Sequence, residues 1–343
     1  RKSVPAILPR GRPRVDLKVA GSARLVAGLK GSQSTISMVL TDFEGTVLQQ
    51  LDRDIPSDPM APKILATHIA QGLTSLAAMA GKTLTDISGV GVGLAGIVDA
   101  DAGHVYWSPS LANRDVDFAE TLSEHLPGTV FLDNDANLVA MAEKANGIGR
   151  GLSDFIVLTI ESGVGMGIVL GGQVYRGARG SGAEFGHTKV QYDGALCRCG
   201  QRGCLEAYVA DYAIQREAMS IGLLSREITA ADAVRQVSDA ANGGDARAQT
   251  VLAKAGQMFA LGLANIINVF DPELIILAGE QMQADHLYAQ AVVAEAHRNS
   301  VQIGKAPPKI EVHQWGNLMW ARGAAAFALD HIRDDAVRGL GRA

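Results

Sequence analysis

Two stretches of this chain read alike, and that recurrence limits its fold more than any other feature. Residues 22–55 are apolar strands joined by turns, with Phe43-Glu44-Gly45 where a hairpin reverses. Residues 154–177, DFIVLTIESGVGMGIVLGGQVYRG, form a second hairpin-rich strand pair. The first stretch is followed by a helix over 60–81, marked by Ile64, Ile69, Leu73 and Leu76. Next come a strand, glycine-rich turn and strand over 86–107, a buried strand over 128–135 ending in acids, and a helix over 136–147 with its stop glycine. The second stretch is followed by helices over 205–221 and 244–269, a short buried strand over 271–280 and a closing helix over 321–332. Two halves that each open with a β-hairpin and continue as α/β units suggest an internal duplication. Such a chain makes two α/β lobes with a cleft between them, where small ligands bind. A single α/β domain carrying a long insertion is the alternative.

Bulk properties narrow the function classes. A chain of 343 residues fits two domains of ordinary size. A net charge of −5 argues against a nucleic-acid surface spread over the body. No apolar run reaches the length of a membrane span, and the start lacks the apolar core of a signal peptide. Three cysteines do not make a secreted disulfide framework, so the composition reads as cytoplasmic and without a membrane partner. Residues 1–21 carry Arg1, Lys2, Arg10, Arg12, Arg14 and Lys18 between Pro5, Pro9 and Pro13. This is either a solvated linker or a tether to a preceding domain.

All three cysteines lie in CRCGQRGCLE, residues 197–206. A disulfide leaves one thiol over, and a tetrahedral metal site lacks one ligand. Gly200 and Gly203 let the backbone fold back so that the Cys197, Cys199 and Cys204 sulfurs converge. His187, ten residues before Cys197, is the nearest upstream histidine. Together the four make a plausible closed, structural Zn2+ site. The alternative is three free buried thiols acting as small hydrophobes. A redox role is disfavoured by the lack of a C-x-x-C pair.

GAEFGH (182–187), followed at this distance by C-x-C-G-x-x-G-C-L-E, resembles the signature of the ROK family of repressors, open reading frames and kinases. The similarity runs over roughly residues 22–332 and includes LDNDAN, GVGMG and DPELIILAG. The resemblance implies an α/β, two-lobed, actin-like ATPase (ribonuclease H-like) fold. The N-terminal lobe would be 22–135 closed by the helix at 321–335, and the C-terminal lobe 136–320 with the zinc loop at 187–206. It implies a zinc loop of one His and three Cys, and a sugar in the cleft. Carried over motif by motif, Asn134, Asp135, Glu184, His187 and Glu206 would contact the sugar, Asp135 being placed to act as general base. His187 would use one ring nitrogen for the metal and the other for a sugar oxygen. Taken alone, Asp135 could instead be a helix N-cap, and Glu206 a first-turn acid facing a helix dipole. Gly93–Gly96 resembles the turn against the sugar, with Gly96 a further contact. Ala95 stands where the family often has proline, and Ser110 where it often has asparagine; Asn113 is the candidate substitute.

The same comparison separates a kinase from a sensor. Phosphoryl transfer needs a polyanion cradle and a carboxylate-held Mg2+. The family's first phosphate turn maps to Lys30-Gly31-Ser32-Gln33-Ser34, with Lys30 at the acid position, and no Asp or Glu occurs between Asp16 and Asp42. The second turn keeps Ser162, Gly163 and Gly165, but Glu161 replaces a glycine there, and Ala278-Gly279 replaces a Gly-Gly pair. The GVGMG glycines also read as plain turn residues. These departures favour the sugar-sensing body of a ROK transcriptional regulator, with ATP contacts at Ser162, Gly163, Gly165 and Gly279 vestigial. It would work as a homodimer or tetramer and reach DNA through a helix-turn-helix outside this sequence. The rival is an ATP- and Mg2+-dependent sugar kinase using Asp135.

Overall fold

The computed structural model describes residues 20–32, 34–160, 162–225, 228–278, 287, 289–313 and 318–340. The expected basic segment over 1–21 lies almost wholly outside the described residues, as do Gln33, Glu161 and Gly279. The chain forms two five-stranded sheets on one plan. The first runs β3 (Val47–Asp54), β2 (Thr35–Asp42), β1 (Leu25–Gly31), β4 (Ile87–Leu94) and β7 (Thr129–Asn134). Its first three strands are an antiparallel meander, and β4 and β7 then add in parallel to β1. The second runs β10 (Gln173–Val174), β9 (Val164–Leu170), β8 (Phe155–Ile160), β11 (Leu274–Ala278) and β12 (Lys309–Val312), again a meander followed by two parallel additions. A small hairpin of β5 (Ile97–Asp99) and β6 (His104–Trp107) follows β4. The recurrence in the sequence is thus a recurrence of sheet topology.

Local chemistry explains the turns. At the β2–β3 reversal the Asp42 carboxylate accepts the Glu44 and Thr46 amides, and Gly45 takes a φ of 92°. Helix α1 (Pro62–Met79) opens with Pro62, whose missing N–H costs nothing at that position. It buries Leu65, Ile69, Leu73 and Leu76 against the first sheet.

The opposite face of that sheet carries helix α9 (Met319–Leu340), and glycine decides how close it comes. A Cβ on Gly28 of β1 would overlap the Ala321 carbonyl, and one on Gly91 of β4 would overlap that of Ala324. The glycines of GVGVG therefore lie in strand β4, Gly93 included, so the turn expected over Gly93–Gly96 is confined to Ala95-Gly96. Lys30, expected in a loop, is likewise a strand residue, facing Ser37 and Gly93 across β1.

The second sheet is covered on one side by α3 (Asp135–Asn146), where Val139, Ala140 and Ala142 meet Phe155, Val157 and Val169. Its other side packs on α4 (Glu206–Val209), α5 (Asp211–Ser220), α6 (Ala230–Asn242), α7 (Ala246–Phe270) and α8 (Gln290–Asn299). Helix α3 on the second sheet and α9 on the first touch each other, and a Cβ on Gly323 would overlap the Leu138 carbonyl. The N-terminus of α3 therefore emerges between the two sheets. Among the described residues, α7 alone is long and apolar enough by length and composition to cross a membrane. That corrects the expectation that no apolar run reaches such a length, although most of its apolar window is buried in the second core.

Candidate functional site

The cysteine segment folds as a knuckle. The Gly203 amide donates to the Ala195 carbonyl at 2.9 Å and the Cys197 amide to that of Gln201 at 2.8 Å. Gly200 and Gly203 sit at φ 86° and 74°, and a Cβ on Gly203 would overlap the Gln191 carbonyl. The backbone thus returns on itself, and the donor atoms of His187, Cys197, Cys199 and Cys204 lie within 4.8 Å of one another. The Cys199 and Cys204 sulfurs are 3.7 Å apart, as are the Cys197 sulfur and His187 Nδ1. These four donors can hold a metal. Lys189 adds a cation, its ammonium donating to the Cys204 sulfur and the His187 carbonyl, both at 3.0 Å. The bond to Cys204 holds the Lys189 pKa above its usual value. Burial pushes the Cys197 thiol up to about 12, so without a cation this sulfur resists ionisation.

The knuckle leads to two acids, Glu184 and Glu206. With Nδ1 of His187 turned to the thiols, Nε2 points to Glu184, 3.9 Å from its Oε2. Glu206, the first residue of α4, is buried. Its Oε1 accepts from the Tyr212 hydroxyl at 3.3 Å and lies 3.7 Å from the Cys197 sulfur, while Oε2 accepts the Val164 amide at 3.3 Å. One carboxylate thus joins the knuckle to the start of β9. Glu184 has a raised pKa although its side chain is 43% exposed. The surrounding protein desolvates it, His187 opposes the shift, and the charges of Glu206 and Asp135 add to it. Asp135, Glu184, Glu206 and His187 therefore share one electrostatic site, although 71 residues separate Asp135 from Glu206 (206 − 135).

Asp135 opens α3, and the helix cap belongs to its neighbour. Asn134 Oδ1 accepts the Ala136 amide at 2.9 Å, and Nδ2 donates to the Gly96 carbonyl at 2.8 Å. The alternative of Asp135 as N-cap is corrected: it is the first helical residue, with its own Oδ1 also 2.9 Å from the Ala136 amide. Gly96 holds φ 119° with its Cα against the Trp107 carbonyl, a position no side chain fits. Asn113 is exposed on the 108–115 loop, and none of its described contacts brings it to this group; Ser110 is buried.

The phosphate positions fare differently. Lys30 is buried, and its ammonium lies 3.5 Å from the centroid of the buried Trp320 ring. The turn beyond it closes on itself, the Ser32 amide and hydroxyl both donating to the Thr35 carbonyl at 2.9 and 2.8 Å. Ser162 is exposed and Gly163 lies against Glu206. A Cβ on Gly165 would come within 2.9 Å of the Ala136 Cβ, so this glycine lets β9 approach α3.

Against this geometry, the ROK family model matches residues 26–331. The chain belongs to the ROK family. The Bacillus subtilis xylose repressor is 26% identical over 325 residues, 94% of this chain and 82% of the repressor. A glucokinase from Halalkalibacterium halodurans is 29% identical over 268 residues, 75% of this chain and 81% of the enzyme. Among solved structures, the ROK hexokinase from Thermus thermophilus superposes with a TM-score of 0.77 at 29% identity, covering 90% of this chain and 99% of that one. The fold is therefore the actin-like fold of ROK kinases and regulators, as expected. Relatives of both kinds are present, so likeness alone leaves the role to the residues.

Sequence reasoning missed four groups that build this site: Lys189, Tyr212, and the pair Asp133 and Arg176. Asp133 carried a signal, being an acid at the end of a buried strand; nothing local marked its partner, 43 residues away.

Proposed function

We propose that this chain is the sugar-binding body of a ROK transcriptional regulator. The observation that carries this reading is the burial of Lys30 against Trp320 at the position where the family resemblance expects a metal-serving acid. An ammonium there repels Mg2+, while three carboxylates and an imidazole remain gathered in the cleft. Asp135, Glu184 and Glu206 are acceptors for hydroxyls of a hexose or N-acetylhexosamine, and His187 Nε2 adds a contact. Asn134 acts through the Gly96 turn, since both ends of its amide are already engaged. Residues 22–135 with the closing helix at 321–335 form one lobe and 136–320 the other; sugar closes them and moves paired DNA-binding segments that lie outside this sequence. The assembly is a homodimer or tetramer in the cytoplasm.

The resident metal in this reading is zinc. Tetrahedral Zn–S bonds of about 2.3 Å put sulfurs about 3.8 Å apart, which the 3.7 Å separation of the Cys199 and Cys204 sulfurs matches. His187, Cys197, Cys199 and Cys204 would hold it, and it would supply rigidity rather than chemistry, since four protein ligands leave no open position.

Calorimetric titration with D-glucose, D-xylose and N-acetyl-D-glucosamine, with ATP turnover measured alongside, tests the proposal. Heat with a sugar and no turnover is the expected result. Turnover abolished by Asp135→Asn would establish the second reading, a sugar kinase with Asp135 as general base and ATP and Mg2+ as co-substrates. The glucokinase and hexokinase relatives keep that reading in play.

A further inference from the structure

One fully buried and well-satisfied charge lies outside the proposed sugar constellation. Asp133, at the end of β7, has no solvent exposure. Its Oδ2 accepts from Arg176 Nε at 2.8 Å and Nη2 at 2.6 Å; its Oδ1 accepts the Asn134 amide at 2.7 Å and Asn137 Nδ2 at 2.9 Å. Arg176 comes from the other sheet, just after β10, and its guanidinium also lies 5.2 Å from the Phe327 ring of α9. A planar fork on one carboxylate is a geometry that arginine supplies and lysine does not.

Each end of this pair leads to one wall of the cleft. On the Asp133 side, its Oδ1 fixes the first turn of α3, from which Asn134 reaches the Gly96 carbonyl and Asp135 begins the helix. On the Arg176 side runs a segment with glycine at 177, 180, 182 and 186, which arrives at Glu184 and His187. That segment is held at three places. The Arg176 carbonyl accepts the Gly182 amide at 2.9 Å, Gly180 lies against the backbone of Val98 and Asp99 in β5, and His187 is anchored in the knuckle. A chain so rich in glycine keeps little shape of its own, so its fixed ends determine where Glu184 stands.

We propose that Arg176 is a positioning residue: its fork on Asp133 clamps the two sheets together and sets both walls of the cleft, the Asn134–Asp135–Gly96 wall and the Glu184–His187 wall, at one separation. The clamp rests on the sugar reading only for what the cleft binds, and the test separates the two.

Arg176→Gln, Arg176→Lys, Asp133→Asn and the double variant Asp133→Asn/Arg176→Gln are compared with wild type. The double variant leaves no lone buried charge and guards against simple misfolding. Without any sugar, hydrogen exchange in Arg176→Gln is expected to quicken in both 94–98 and 177–186, while β11 (274–278) stays unchanged. With D-glucose, D-xylose and N-acetyl-D-glucosamine as probes, Kd for whichever binds wild type is expected to weaken by roughly 10- to 100-fold, the usual size for residues that orient a site's contacts. Arg176→Lys should recover part of the loss, and zinc content should not change. Faster exchange confined to 174–178, or a lower Tm with unaltered Kd, overturns the clamp. If wild type binds none of the three sugars, the sugar reading fails and the exchange result alone decides: both walls loosened supports the clamp, one wall overturns it.

Discussion

The expected sugar half and the expected phosphate half of the site are built on opposite electrostatic terms. On the sugar side, burial raises the Glu184 pKa, the nearby Glu206 and Asp135 charges add to the rise, and the His187 charge opposes it. On the other, the Lys30 cation is settled against an aromatic ring, and the turn beyond it satisfies its own donors. Gathered carboxylates with a raised pKa are a feature of functional sites, and the proposed sugar hydroxyls would donate to them. The buried Lys30 cation is stacked on Trp320 within the protein itself. The contrast gives the family's shared fold a direction, because both kinases and repressors are among its relatives.

The sharpest way to break the comparison is through the knuckle, which supports only the carboxylate side. Cys204→Ser, or chelation of wild type, is expected to bring metal content from about one per chain to near zero, because structural sites of this kind carry of order 10 kcal/mol in small peptides. Sugar binding should be lost with it, read by calorimetry and elemental analysis, as Glu206 and His187 lose their support. Retained affinity in metal-free protein would sink the account of the loop.

The next largest effect belongs to the other side. Trp320 is fully buried, and Trp320→Ala should cost about 3–5 kcal/mol in denaturant unfolding. Lys30→Met keeps the apolar stem and loses a buried cation, so its cost should follow the desolvated cation–π scale, about 2 kcal/mol. Neither variant should alter the affinity for sugar of the folded protein. A Lys30→Met protein that gained ATP turnover would show that this single cation is what excludes the nucleotide chemistry.

On the carboxylate side, Asp135→Asn and Glu206→Gln each remove one charged acceptor. Hydrogen bonds to charged groups are worth about 1.5–3 kcal/mol, so each should weaken sugar binding roughly 10- to 150-fold in a titration. Glu206→Gln should also disturb β9, because Oε2 holds the Val164 amide.

How far the sequence alone reached follows from the range over which each signal acts. The strands and α1 announced themselves through runs and spacing of apolar residues, and the cysteine knuckle through glycines at the two positions that need positive φ. Helix α6 did not, because only Ala233, Val234 and Val237 of its thirteen residues are buried. Gly93 was read into the Gly93–Gly96 turn although it lies in β4, because the side chain that crowds it, Leu138 of α3, comes from a later element. Lys30 was legible as a departure from a phosphate loop, but its partner Trp320 was not. The alternative that made Asp135 the cap of α3 lay one residue late, since Asn134 and Asp135 are both good cap residues by type and it is Asn134 that accepts the Ala136 amide as cap.

The smallest expected effect tests the electrostatic premise itself. Burial and the neighbouring carboxylates raise the folded-state pKa of Glu184 above 4.5, with only His187 opposing. The folded chain thus binds this proton more tightly than the unfolded chain does. The sign follows: Glu184 places no burden on stability below the unfolded pKa, and stability falls as pH rises from there through the raised folded value. Above that window the carboxylate is ionised in a site that disfavours it. Glu184→Gln should therefore raise Tm slightly at pH 7 and change it little at pH 4, while weakening sugar binding, with both read on the same preparation. A variant that gains stability and loses ligand is what a strained binding site predicts; one that loses both would mean that Glu184 is an ordinary structural acid and that the sugar and phosphate halves differ less than their charges suggest.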